Sequence, residues 1–110
     1  MVSVKVDFDV IQQIAYELSR EPKSWDDFVW LFAEAELRLR LAYVPGELYK
    51  EVDESRVVDI DPDAIVDQPP EEEIRQLAQE IAKQCPSAQD LHWFIAERRF
   101  IYDQVKNVGV

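Results

Sequence analysis

One feature constrains this chain more than any other: it repeats itself. Displaced by 63 positions, residues 11–39 fall on residues 74–102 without a gap. Nine of the 29 pairs are identical, among them Ile11/Ile74, Ser24/Ser87, Trp30/Trp93 and Glu34/Glu97; composition alone would give roughly two. Conservative pairs such as Leu18/Ile81, Phe28/Leu91 and Phe32/Ile95 fill in between. The tryptophan pair weighs most, because tryptophan is rare. A chain of 110 residues is one domain in length, so the two units must share one core.

Each unit reads as helix, turn, helix. Ile11, Ile14, Ala15 and Leu18 recur at i, i+3, i+4 and i+7, and Ile74, Leu77, Ala78 and Ile81 repeat the stripe. Asp9 with Gln12 offers a capping box for the first helix. Pro69-Pro70 and three glutamates open its copy. Pro22 and Pro86 end these helices, and Ser24 with Asp27, and Ser87 with Asp90, start the next pair.

The second helices, about 25–41 and 88–105, carry two apolar faces each. Phe28, Leu31, Phe32, Ala35 and Leu39 form one; Trp30, Ala33, Leu37 and Leu41 form another nearly opposite. The copy repeats this with Leu91, Phe94, Ile95 and Tyr102 against Trp93, Ala96 and Phe100. A surface helix needs one apolar stripe, so these are covered twice. The second cover is either the connector or opposite hairpin, or a partner, a second copy of the chain included. In the latter case Trp30, Leu37, Trp93 and Phe100 are the contact residues.

The expected fold is therefore mainly α, a single domain over 1–110. Two pseudo-symmetric helical hairpins, about 9–41 and 71–105, form a four-helix core joined by an acidic connector, 42–70. Val44-Pro45-Gly46 signals a turn, and 47–52 suits a helical turn. Val57, Val58 and Ile60 favour an extended segment, and Val2, Val4, Val6 and Phe8 alternate as a strand does. The two segments suit a small ribbon.

The net charge of −11 is not spread evenly. Residues 44–73 hold eleven acids against Lys50 and Arg56, a net of −9, whereas residues 74–105 are neutral. This surplus argues against direct binding of nucleic-acid phosphates or of an anionic membrane. No apolar stretch approaches the ~20 residues of a membrane span, and the start lacks the pattern of a signal peptide. A cytoplasmic location is expected, and one cysteine fits a reducing compartment.

Candidate chemistry is sparse. With one cysteine, one histidine and two glycines, a cysteine zinc site and a Gly-rich phosphate loop are both excluded. Asp59, Asp61, Asp63 and Asp67 resemble the spacing of a calcium loop, yet Ala64 and Pro70 stand where the glycine and the bidentate glutamate belong. Glu17, Glu34, Glu80 and Glu97 are duplicated, but a di-metal bundle also needs Glu-x-x-His pairs. Glu17 and Glu80 are expected exposed. Glu34 is expected to pair with Arg38, and Glu97 to cap a turn or accept a tryptophan N–H. His92 is replaced by Val29 in the other unit, which suggests packing. Cys85 lacks the surroundings of a nucleophile, and Arg98-Arg99 is too small a basic patch for nucleic acid. No catalytic group, metal or cofactor is expected.

The string Ile14-Ala15-Tyr16-Glu17-Leu18, with Pro22, Asp27, Trp30 and Ala33-Glu34-Ala35-Glu36-Leu37, resembles a short bacterial family of unknown function. His92-Trp93 and Ala96-Glu97 carry the likeness into the second unit. The turn here lacks the family's glycine. The resemblance implies a bacterial source and a helical hairpin, and brings no activity with it. The leading expectation is a non-catalytic interaction or regulatory module, using the Trp30 and Trp93 faces, the acidic connector through Asp59, Asp61 and Asp63, or both. Its rivals are an acidic decoy for a basic site (an antitoxin, immunity protein or nucleic-acid mimic) and a small enzyme.

Overall fold

The offset of 63 reappears in the helix boundaries. The computed structural model describes residues 2–44 and 57–108. Helix α1 spans Phe8–Ser19 and α2 spans Trp25–Leu39; α3 spans Glu71–Lys83 and α4 spans Ala88–Val108. The starts of α3 and α4 are those of α1 and α2 displaced by 63. The cause is local chemistry in duplicate. Ser24 Oγ accepts from Asp27 N at 3.2 Å, and Ser87 Oγ accepts from Asp90 N at 3.0 Å. Each hydroxyl satisfies a backbone donor that the first turn leaves orphaned. The start of α1 departs from expectation by two residues: Asp7, not Asp9, is its N-cap, accepting from Val10 N.

The hairpins do not close on themselves. α1 packs on α4, α3 packs on α2, and α2 packs on α4, while contact within either hairpin is marginal. Along the central pair, Phe28 meets His92, Phe32 meets Phe94, and Glu36 meets Arg98. These contacts advance in the same direction on both helices, so α2 and α4 run parallel. At their N-terminal end Trp25 Nε1 donates to Pro86 O at 2.8 Å. Aligned dipoles repel, and each helix answers with acid in its first turn and a base in its last: Asp26, Asp27 and Arg38 on α2, Asp90 and Lys106 on α4. A pseudo-twofold axis thus lies between two parallel helices, and each first helix crosses over to the other unit.

This explains the two apolar faces. One face of α2 meets α4 and the other meets α3; one face of α4 meets α2 and the other meets α1 and the N-terminal strand. Ala33 and Ala96, paired by the repeat, are both fully buried. So are Leu91 and Ile95, the counterparts of the buried Phe28 and Phe32.

A three-stranded antiparallel sheet completes the fold in the order β1 (Val2–Lys5), β3 (Val57–Ile60), β2 (Tyr43–Val44). Val4 faces Val58, Val2 faces Ile60, and Tyr43 also pairs with Ile60. The alternation of Val4 and Val6 inward with Ser3 and Lys5 outward is the expected ribbon. The third strand, β2, was not legible as such. Phe8 leaves the alternation and begins α1. Val44, which opens the expected turn, ends β2; the rest of that turn and the helical turn over 47–52 lie outside the described residues.

Beyond β3 the connector is fastened to the helices. Asp61 caps a short 3-10 turn, Pro62–Ala64. Val66 N donates to Arg38 O, and Arg38 Nε donates to Asp67 O, both at 3.0 Å. The Asp67 carboxylate accepts from Lys106 Nζ at 2.8 Å and from Tyr102 Oη at 2.6 Å. Those two bonds hold Asp67 below the usual carboxylate range; the bond to Asp67 raises Tyr102, and the same carboxylate raises Lys106. The connector end therefore bridges the C-terminal turns of α2 and α4.

Candidate functional site, a groove between the first and last helices

The α1 sequence has one face for the core and another with no helix upon it. Ile11 and Leu18 are buried. Phe8, Gln12, Ala15, Tyr16 and Ser19 follow one another at i, i+4, i+7, i+8 and i+11, a second stripe. With Gln89, Asp90, His92, Trp93 and Phe94 of α4 they line a groove of about 480 Å³, within the range of ordinary binding sites. Phe8 is 38% exposed and Tyr16 55%. The Phe8 ring lies 4.9 Å from that of Trp93 at a tilt of 51°.

Two polar atoms on the groove's α4 wall are buried without a hydrogen-bond partner: Trp93 Nε1 and His92 Nε2. Each such atom carries a cost of about 1–3 kcal/mol. The His92 ring sits edge-on to Phe28, 4.5 Å between centroids. Burial lowers its pKa from the ordinary 6.5, against the opposing pull of Glu21. Packing is thus one role of His92, as the repeat suggested.

The repeat supplies an internal control. The residues of α3 equivalent to Phe8, Gln12 and Tyr16 are Glu71, Arg75 and Gln79, all exposed. There Arg75 binds Glu71 at 2.9 Å and Glu72 at 2.8 Å. One unit has an ordinary solvated ion-pair face where the other has an aromatic groove.

The residues expected from sequence to make contact occupy different places in the fold. Phe100 is 4% exposed, covered within the chain, and so does not present a surface to a partner. Trp30 and Leu37 are half-buried against the core. Leu37 borders a second, more polar depression of about 320 Å³ with Leu41, Leu77 and Glu80. Trp93 alone of the four stands in the aromatic groove. Asp59 is exposed and accepts from Ser3 Oγ at 2.7 Å, Asp61 accepts from Asp63 N at 3.1 Å, and Asp63 is exposed. Among the described residues no group of three or more His, Cys, Asp and Glu is placed to hold a metal ion.

Sequence reading missed a buried charge cluster. Arg98 is 1% exposed, between Glu36 at 1% and Glu97 at 0%. Its Nε donates to Glu36 at 2.9 Å and its Nη1 to Glu97 at 3.0 Å. Glu97 therefore accepts from Arg98 and not from the Trp93 indole. The signal was present: Glu36 stands four residues after Phe32, and Arg98 four after Phe94, both on core stripes. Arg98 replaces Ala35 of the other unit, and Ala35 borders the same cavity as Arg98. Arg38, Arg98 and Arg99 line a cavity of about 190 Å³ with Tyr102 and Asp103. Glu34 binds Arg38 at 3.0 Å as expected, and with Glu36, Glu97 and Asp103 nearby the cavity holds no surplus of positive charge.

No protein-family model, curated protein or solved structure matches the chain. Among the described residues no helix is long and apolar enough to cross a membrane.

Proposed function

We propose that this chain is a small, non-catalytic interaction module of a bacterial cytoplasm, and that its partner is received in the groove between α1 and α4. One observation carries the reading: Phe8, Tyr16 and Trp93 form an open aromatic groove on one unit, while the equivalent helix face of the duplicate is Glu71, Arg75 and Gln79. The repeat aligns the two faces, and the duplicate carries solvated charge where this unit carries aromatic rings. Exposed aromatic clusters of this kind support binding.

The acidic-decoy reading rests on the connector. Two of its three named carboxylates have structural partners, Ser3 for Asp59 and the Asp63 backbone for Asp61. The test compares two variants in affinity capture from the native cytoplasm. Tyr16→Lys should lose the captured protein, and the triple exchange of Asp59, Asp61 and Asp63 to Asn should keep it. The opposite result, loss in the triple variant and retention in Tyr16→Lys, assigns binding to the connector and sinks the groove.

A further inference from the structure

We infer that the outer edge of β1 pairs with the same edge of a second copy of this chain, joining two three-stranded sheets into one about a twofold axis at Val4. The bonding of the sheet fixes which main-chain groups face outward. Asp61 N donates to Ala42 O on the β2 side, next to the pair Tyr43 and Ile60. Alternation along β3 then turns Ile60 and Val58 towards β1, where they meet Val2 and Val4. The N–H and C=O groups of Ser3 and Lys5 therefore point away from β3. Among the described residues β1 is the last strand on this side, and no backbone group from outside the sheet bonds to it. Main-chain groups in that alternation are satisfied by an extended strand.

The side chains of β1 make it a complement to itself. Antiparallel pairing with Val4 opposite Val4 sets Ser3 of each copy opposite Lys5 of the other, so the outward groups of both close into bonded pairs. On the helix side, Val4 extends the row begun by Val58, and Val2 of one copy falls opposite Val6 of the other. Val2 is half-buried within one chain. Beside Val6 lies a depression of about 630 Å³ bordered by Val10, Phe100 and Gln104, with Val10 42% exposed. On the outer side, the row across the joint reads Asp59 and Ser3 from one copy, then Lys5 and Val57 from the other. Lys5 has no ion-pair partner among the described residues. Two strand spacings, about 9–10 Å, separate it from Asp59 of the second copy, a span that an extended lysine bridges. The Ser3 hydroxyl, 2.7 Å from Asp59 Oδ1, draws that carboxylate towards the joint. An edge lysine ordinarily deters pairing; in this register it meets opposite charge, twice over by symmetry.

The molar mass of the full chain is followed by light scattering as its concentration rises to about 1 mM. It should climb from 12.9 kDa towards twice that value. Over the same range the amides of Ser3 and Lys5 should gain protection from hydrogen exchange, whereas those of Val2 and Val4, already turned to β3, should change little. Lys5→Pro removes an outward N–H and leaves the β1–β3 bonds in place. This variant should melt near the temperature of the dilute parent and remain at 12.9 kDa. Lys5→Glu should weaken association about tenfold, and adding Asp59→Lys to it should restore the parent's behaviour. A parent chain still monomeric at about 1 mM, a dimer that survives in folded Lys5→Pro, or new protection confined to α1 and α4 each overturns the inference. Should Lys5→Pro fail to fold, the charge variants decide: association as strong in Lys5→Glu as in the parent overturns it.

Discussion

Cys85 has φ of 49°, the left-handed region, and is the one non-glycine residue so placed among those described. It follows the C-cap of α3, where its N–H closes the last turn on Ala82 O. A Cβ in that conformation costs free energy that glycine does not. Cys85→Gly should therefore raise stability by about 1 kcal/mol, less the extra entropy glycine gives the unfolded chain; thermal melting reads it, and a lower melting temperature refutes it. Arg98 supplies a sharper case. Removing it leaves Glu36 and Glu97 buried without their shared cation, so Arg98→Met should cost about 3–5 kcal/mol. Glu36→Gln leaves Arg98 its bond to Glu97 and retains an acceptor for Nε, and should cost nearer ~1 kcal/mol. Urea titration orders the two, and equal losses would show that packing rather than charge compensation dominates there. Neither residue was legible for what it does. Arg98 stood beside Arg99 and suggested a surface dipeptide, because local sequence does not reveal that Ala35 on another helix leaves room for a guanidinium.

At the scale of the element, helices were more legible than strands. A helix announces itself through caps and stripes lying within a dozen residues, and Ser24, Asp27, Ser87 and Asp90 were sufficient to start α2 and α4. The strand β2 is two residues long and exists by virtue of its partner, fifty-seven to sixty in the chain, so no local pattern betrays it. Nor did local pattern identify the groove. Phe8 extends an alternation of apolar residues begun in β1, and Tyr16 lies off the core stripe, so their joint surface emerges once α4 is alongside. The packing of α4 against α2 leads to a pH dependence through His92. Burial lowers its folded pKa below the ordinary 6.5, so the fold favours the neutral ring. The stability associated with that preference is present above pH 6.5 and is lost as pH falls through the lowered folded value. His92→Phe should flatten the stability profile in the acid range just below pH 6.5, measured by urea unfolding at successive pH values. A slope that persists unchanged in the variant would assign it to other groups.

At the scale of the whole molecule, the crossing of the first helices decides how the fold comes apart. Had α1 packed on α2 and α3 on α4, each hairpin would own a core, and the acidic connector would join two units able to melt in turn. Here α1 is held by α4 and α3 by α2, so loss of either hairpin exposes the buried face of the other. Ile11, Leu18, Ile74, Leu77 and Ile81 all find their burial across the repeat rather than within it. Sheet pairing ties the N-terminal strand to the connector, since β3 lies between β1 and β2. Unfolding should be a single cooperative step. Ile95→Ala, at a fully buried position on α4, should cost about 2–5 kcal/mol. Its consequence should reach all four helices: native-state hydrogen exchange should show protection falling by similar amounts in α1, α2, α3 and α4. Protection that falls in α3 and α4 and survives in α1 and α2 would mean that the first hairpin holds a core of its own, against the packing seen here. The same coupling bears on the groove. Its floor belongs to α1 and its wall to α4, elements from opposite units, so an occupant bridging Tyr16 and Trp93 should stabilise the entire fold and raise protection in α2 and α3, which it does not touch.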